Sequence, residues 1–262
     1  MKFLILFIVA MCISAIGFKK FLWFISIGYG FSVAGLGLTM LILFYQDLTM
    51  VTIVMSCLLI IYGIRLGGYL TIREKSANYH ETIKDDVVED TSVKFILKVV
   101  TWISCAFLYC CEVAPVFFRL ENEGGDDIIS YVGLGIMALG IILESLADYT
   151  KNQFKKRQPK RFCDVGVFRF VRCPNYLGEV LTWTGVFVSG IPIYESLLQW
   201  MAAIFGYVCI IYIMFGGARR LELRQNKNYG DNPEYQAYVK KVPILLPFIP
   251  LYSVAKHKWL IG

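Results

Sequence analysis

Apolar runs of about twenty residues, parted by short polar breaks, decide what this chain can become. A helix crossing ~30 Å of hydrocarbon needs about 20 predominantly apolar residues, because inside lipid every backbone N–H and C=O must be satisfied within the segment. Such runs fall at roughly 3–18, 21–44, 51–72, 95–118, 128–149, 175–193 and 197–217. Of the 262 residues 57% are apolar, and the mean hydropathy is +0.58. The expected fold is all-α: a polytopic membrane helical bundle of about seven transmembrane helices. A last apolar stretch near 242–253 is broken by Pro243, Pro247 and Pro250 and reads as interfacial rather than spanning.

The loops alternate in charge. Lys19 and Lys20 follow the first run, and the next break, at Gln46-Asp47, holds no base. The third holds Arg73, Lys75, Lys84, Lys94 and Lys98, and the polar loop from Arg73 to Asp90 is expected to be partly mobile. The fourth is acidic, with Glu121, Glu123, Asp126 and Asp127. The fifth crowds together Lys151, Lys155, Lys156, Arg157, Lys160, Arg161, Arg169 and Arg172. The sixth has only Glu195, and the tail from Arg219 to Lys258 is basic again. Every second loop is basic, so the positive-inside rule puts the N-terminus outside and the C-terminus in the cytosol. Lys2 ahead of an apolar core also resembles a secretory signal, but the Lys19-Lys20 pair reads better as the end of a retained span. The net charge of +6 follows from topology and contact with anionic lipid, and needs no nucleic-acid partner.

Cys12, Cys57, Cys105, Cys110, Cys111 and Cys209 lie in apolar runs and act as small hydrophobes; Cys163 and Cys173 fall in a cytosolic loop, where thiols stay reduced. The only histidines are His80 and His257, which argues against a His-based metal site and a Ser-His triad; no metal is expected. Gly28, Gly30 and Gly35 mimic a dinucleotide fingerprint, but no strand precedes them. Gly63 and Gly67, four apart, suit close helix packing.

Ionisable residues inside apolar helices mark the places to look, since burying a charge in hydrocarbon is costly unless it is paired. Glu144, Asp148, Asn152 and Lys155 step by about one turn and share a face of the fifth run. They can pair with loop bases or bind the hydroxyls and amide of a cofactor. Pro174 opens the next helix, with Asn175 and Glu179 four apart; free N–H groups there favour an anion, and Arg169 and Arg172 add donors. Tyr62, Arg65, Tyr69 and Arg73 recur at helical spacing. Arg65 can orient helices through a salt bridge or clamp a carboxylate or phosphate, with Tyr62 beside it as a buried proton donor. Glu112 is the other isolated intramembrane acid, able to pair with Arg65 or orient Tyr62.

These residues, in this order, resemble the steroid 5α-reductase-like family of membrane reductases, including its bacterial members. Ala147-Asp148-Tyr149 is similar to the family's Asp-Tyr motif, Gly166 to Glu179 to its Gly-x-Phe-x-Tyr-Val … Asn-Phe/Tyr-Leu/Phe-Gly-Glu signature, and Glu234-Tyr235-Gln236-Ala237-Tyr238 with Leu246-Pro247-Phe248 to its closing motif. Tyr62-x-x-Arg65 matches its Tyr-x-x-Arg element. The resemblance implies one membrane domain over residues 1–262, with 1–118 on the substrate side and 119–262 binding NADPH. It implies hydride transfer from NADPH to a C=C bond of a hydrophobic, steroid- or lipid-like enone. Cofactor contacts would come from Asp148, Asn152, Lys155, Arg172, Asn175, Tyr176, Glu179, Arg224 and Tyr235. Tyr62 with Glu112 would be catalytic, and Arg65 would meet the substrate. One departure stands out: the family places an acid in an early helix beside the Tyr, and the first two runs contain no Asp or Glu. The membrane would be the endoplasmic reticulum in a eukaryote or the inner membrane in a bacterium.

A second family shares this architecture, the isoprenylcysteine carboxyl methyltransferases and related phospholipid methyltransferases. Arg172-Cys173-Pro174-Asn175-Tyr176-Leu177-Gly178 resembles their Arg-His-Pro-x-Tyr-x-Gly start, with Cys for His. The alternative is thus an S-adenosylmethionine-dependent methyltransferase acting on a lipid or prenylcysteine. A third reading is a non-enzymatic membrane scaffold.

Overall fold

The computed structural model describes residues 1–74 and 93–260. Lys75, His80, Lys84 and most of the 73–90 loop lie outside the described residues. Among the described residues the regular structure is helical throughout: α1 (Lys2–Ser14), α2 (Ile27–Leu43), α3 (Met50–Glu74), α4 (Phe95–Glu121), α5 (Ile128–Arg157), α6 (Pro174–Gly190), α7 (Leu197–Tyr229) and α8 (Pro233–Lys241), joined in places by 3₁₀ turns. Among the described residues, five segments are long and apolar enough to cross a membrane: Phe21–Leu43, Met50–Glu74, Phe95–Glu121, Ile128–Arg157 and Leu197–Tyr229. The two other expected spans are shorter helices, α1 with its 3₁₀ extension to Phe18, and α6. Large apolar side chains such as Leu38, Ile42, Ile64, Ile142 and Val208 remain exposed on the helices, as a lipid-facing surface requires.

The chain divides into two compact units. The first comprises Met1–Leu134 and Val186–Gly206. Here α1 lies along α4: the Lys2 ammonium pairs with Glu121 at 3.9 Å, the Trp102 indole donates to the Met11 carbonyl at 2.9 Å, and Phe18 meets Phe95 at 6.1 Å between ring centroids. α2 packs on α3 backbone to backbone. A Cβ at Gly63 would stand 2.3 Å from the Gly30 carbonyl oxygen, and one at Gly30 would stand 2.6 Å from the Gly67 nitrogen. Only glycine permits that approach, so the spacing of Gly63 and Gly67 was a packing signal, and Gly30 serves the same contact.

The second unit comprises Gly135–Gly185 and Tyr207–Gly262. Here α5 crosses α6 just as closely: a Cβ on Gly140 would lie 2.4 Å from the Thr182 nitrogen, and one on Gly178 would lie 2.8 Å from the Glu144 Cβ. Gly166 turns the basic loop with φ +58, where a side chain is strained. The loop then runs beside the tail, with the Arg172 N–H donating to the Pro243 carbonyl and the Cys173 N–H to Ile244, both at 2.9 Å. Val171, Cys173, Leu177, Ala218, Ile244 and Val254 form the core beneath. All eight cysteines are free thiols.

Candidate functional site

In the second unit the α5–α6 crossing sets the site. Because Gly178 has no side chain, Glu144 of α5 sits directly against the start of α6, and Glu144 and Glu179 are both buried. The Trp183 indole, one turn along α6, donates to the Glu179 carboxylate at 3.2 Å. Asp148 and Asn175 are half-buried, the first a turn beyond Glu144 and the second at the second residue of α6. Tyr176 is half-buried with its ring over α7, where Gly217 leaves room for it. Asn152 is exposed.

The bases of the fifth loop sort into two groups. Lys155 donates to the Pro159 and Arg161 carbonyls and to the Tyr229 hydroxyl, at 3.1, 2.6 and 3.0 Å, closing the end of α5. Arg172 is 2% exposed; it pairs with Glu222 at 2.9 Å and also donates to the Tyr252 carbonyl. The other Glu222 oxygen accepts the Val254 N–H at 2.8 Å. These two cations therefore hold protein to protein. Lys151 and Arg224 are different: they lie within Coulombic reach of each other and Lys151 within reach of Asp148, with Arg224 exposed. Like charges left together beside an acid suit a phosphate-bearing ligand. Lys151 was visible only as one of many loop bases, although its position three residues after Asp148 is the helical signal that would have singled it out.

Tyr235 is buried among Phe162 and Tyr229, at centroid distances of 5.3 and 5.8 Å, and donates to Asn226 at 2.8 Å. Burial raises its phenol above the usual value, against the pull of Arg172. Burial likewise pushes the Cys173 thiol up to about 12, against the charges of Arg172 and Lys151. The residue that replaces His in the methyltransferase-like motif is therefore a protonated, packed thiol at neutral pH.

In the first unit Tyr62 is fully buried on α3. Its hydroxyl lies 3.1 Å from that of Tyr29 on α2, a residue that the sequence reading passed over because it sits in an uninterrupted apolar helix. The Tyr29 ring packs on Tyr109 at 5.1 Å, and Tyr109 donates its proton to the Phe24 carbonyl. Glu112 is buried on α4, three residues after Tyr109, and a Cβ on Gly206 would touch its backbone nitrogen at 2.6 Å. Arg65 is half-buried three residues beyond Tyr62.

Residues 10–242 match the family described as "Protein of unknown function (DUF1295)". The chain belongs to that family. A very-long-chain enoyl-CoA reductase of Dictyostelium discoideum is 30% identical over 151 residues, which cover 56% of this chain and 46% of that protein. An uncharacterised protein of Schizosaccharomyces pombe is 28% identical over 146 residues, covering 48% of this chain and 41% of the relative. The chain thus spans less than half the length of the relatives it matches. No solved structure matches.

Proposed function

We propose that the chain is a multi-pass membrane reductase that uses NADPH to reduce a C=C bond conjugated to a carbonyl in a hydrophobic, lipid-like substrate. The observation that carries this reading is the glycine-locked α5–α6 crossing, which sets Glu144 against Gly178, next to the buried Glu179. Asp148 lies a turn along α5 from Glu144 and Asn175 a turn along α6 from Glu179, and Lys151 is within Coulombic reach of Asp148 and Arg224. Carboxylates and an amide can bind ribose hydroxyls and a carboxamide, while paired cations and the N–H groups that open α6 suit phosphate. That donor set fits NADPH, and the distant relationship to an enoyl-CoA reductase supports the same chemistry. The expected contacts are Asp148, Asn175, Tyr176, Glu179, Lys151 and Arg224, with Asn152 at the exposed rim. Lys155, Arg172 and Tyr235 support the site from behind through the contacts described above.

Bound NADPH would supply a hydride to the carbon β to the carbonyl. The π electrons move onto the carbonyl oxygen, and Tyr62 hands that oxygen its proton; a positioned phenol lowers the cost of the developing charge. Arg65, a turn along α3 from Tyr62, and Glu112, a turn along α4 from Tyr109, are the charged groups assigned to orienting Tyr62 and the substrate. Seven crossings with the cofactor side cytosolic complete the proposal.

The test is thermal stabilisation of the detergent-purified protein by NADPH, NADH and S-adenosylmethionine, followed by turnover of a long-chain trans-2-enoyl-CoA. A ligand at 100 times its Kd stabilises the native state by ~2.7 kcal/mol. Stabilisation by NADPH, weakened in Glu179→Gln, together with NADPH oxidation, is the expected result. Stabilisation by S-adenosylmethionine alone overturns the reading in favour of a methyltransferase, and no response to any of the three favours a scaffold.

A further inference from the structure

The departure noted in the sequence, a candidate proton donor without an acid in the early helices, has a structural counterpart. Resting on the reductase reading, we propose that Tyr29 is the positioning residue for Tyr62: its phenol donates to the Tyr62 oxygen and holds the phenolate that proton transfer creates.

The two hydroxyls lie 3.1 Å apart in a buried setting, with the rings edge to face at 77°. The glycines explain why this geometry exists. Gly30 follows Tyr29 and Gly63 follows Tyr62, and these two glycines bring the α2 and α3 backbones together, a Cβ at Gly63 standing 2.3 Å from the Gly30 carbonyl. The closest backbone approach therefore lies beside the phenol pair. Tyr29 is fixed from its other side by the Tyr109 ring, and Tyr109 spends its own proton on the Phe24 carbonyl. Tyr29 is thus locked at its ring while its hydroxyl meets Tyr62.

The chemistry balances without a carboxylate. The Tyr62 O–H bond breaks and an O–H bond forms on the substrate oxygen, which has received the electron pair displaced by the hydride. Tyr62 is left as phenolate. A hydrogen bond from Tyr29 is then charge-assisted, roughly twice as strong as the neutral bond present before transfer. The interaction is stronger after proton transfer than before it, which is the condition for accelerating a step. The enol then gains a proton from water at the α carbon and gives up its O–H proton, which restores Tyr62 and leaves the saturated carbonyl.

The experiment compares the wild-type chain with Tyr29→Phe in NADPH-dependent reduction of a long-chain trans-2-enoyl-CoA. Phe keeps the ring and removes only the hydroxyl, and unfolding is excluded by the thermal midpoint. The expected result is a loss of about tenfold to a hundredfold in kcat, the range of a hydrogen bond to a charged group, with KM within about twofold. Tyr29→3-fluorotyrosine, the same shape with a more acidic donor, should restore kcat to at least the wild-type level; a packing role would not follow donor strength. If the wild type turns over and Tyr29→Phe matches it, the positioning role is overturned and the reductase reading stands. If the wild type neither responds to NADPH nor reduces the substrate, the reductase reading fails first and this inference falls with it.

Discussion

Arg172 and Glu222 carry opposite charges into a place that water does not reach, at 2% and 3% exposure. Glu222 spends one oxygen on Arg172 and the other on the Val254 N–H, so the pair fastens the tail to the loop ahead of α6. Removing one member of a buried pair strands the other, at about 3–5 kcal/mol, whereas replacing both with apolar groups of similar volume is often nearly neutral. Glu222→Ala is therefore expected to lower the thermal midpoint sharply, and Arg172→Met with Glu222→Leu to recover most of the loss. A double variant as unstable as the single one would mean that the Val254 contact, not the charge, holds the tail. The sequence made Arg172 a phosphate donor because the loop is basic and precedes a helix. It could not reveal that Glu222, fifty residues on, takes up its charge. Lys155 was misleading for a similar reason: the carbonyls it serves at Pro159 and Arg161 exist only once the loop has turned.

At the scale of elements, the glycines and caps were the legible part. Four-residue spacing in an apolar run announced the Gly63–Gly67 face, whereas the motif ending Gly178-Glu179 was read as a cofactor signature and gave no sign of the second crossing. The partners Gly30 and Gly140 were not legible, since a glycine in an apolar helix has no mark of the helix it will face. Gly140→Ala puts a methyl 2.4 Å from the Thr182 nitrogen and 2.5 Å from the Gly178 carbonyl. The helices must part, at a cost of about 1–3 kcal/mol. NADPH affinity should fall with stability although Gly140 contacts no ligand, which thermal-shift titration would read; unchanged affinity would separate the crossing from the site. The start of α5 gives a pH-dependent case. Asp127 accepts the Ile129 and Ser130 N–H groups, Ser130 accepts the Asp127 N–H in return, and Arg119 pairs with Asp127 at 3.0 Å. Burial opposes its ionisation, but these donors outweigh burial and hold the carboxyl below its ordinary value. A depressed folded value stabilises the protein fully above the unfolded value of about 3.9, and that stability is lost as pH falls through the folded value. Acid titration of the wild type should therefore show a loss below about pH 4 that Asp127→Asn lacks. Equal acid sensitivity in the two proteins would assign the loss to other carboxyls.

At the scale of the whole molecule, helix length and apolarity give five spans where the apolar runs of the sequence suggest about seven, and the contacts within each unit bear on the difference. The start of α6 and the end of α7 belong to one assembly: Lys155 meets Tyr229, Arg161 meets Glu234 at 3.3 Å, and Tyr238 donates to the Phe168 carbonyl at 2.7 Å. The basic loop and the tail are therefore in contact with each other, and the proposed topology sets both on one side of the membrane. α7 is 33 residues long, about 50 Å at the helical rise, and so is long enough to cross the bilayer with length to spare. The chain can return to the same side only if α6 crosses too, short as it is; its 3₁₀ continuation through Ile193 adds the missing reach. The same reasoning applies to α1, whose ends match those of α4 through Lys2–Glu121 and Phe18–Phe95. The proposed seven crossings would put the acidic Glu123 turn outside and both basic segments inside, as the charge rule demands. Single cysteines at Gln46, Glu123, Lys156 and Lys241 in a cysteine-free full-length background, probed in intact cells with a membrane-impermeant maleimide, test this directly. The first two should label at once, and the last two only after permeabilisation. Labelling of Lys156→Cys and Lys241→Cys from opposite sides would mean that α6 does not cross. The basic loop and the tail could then not share the cytosolic face on which the proposed cofactor site depends.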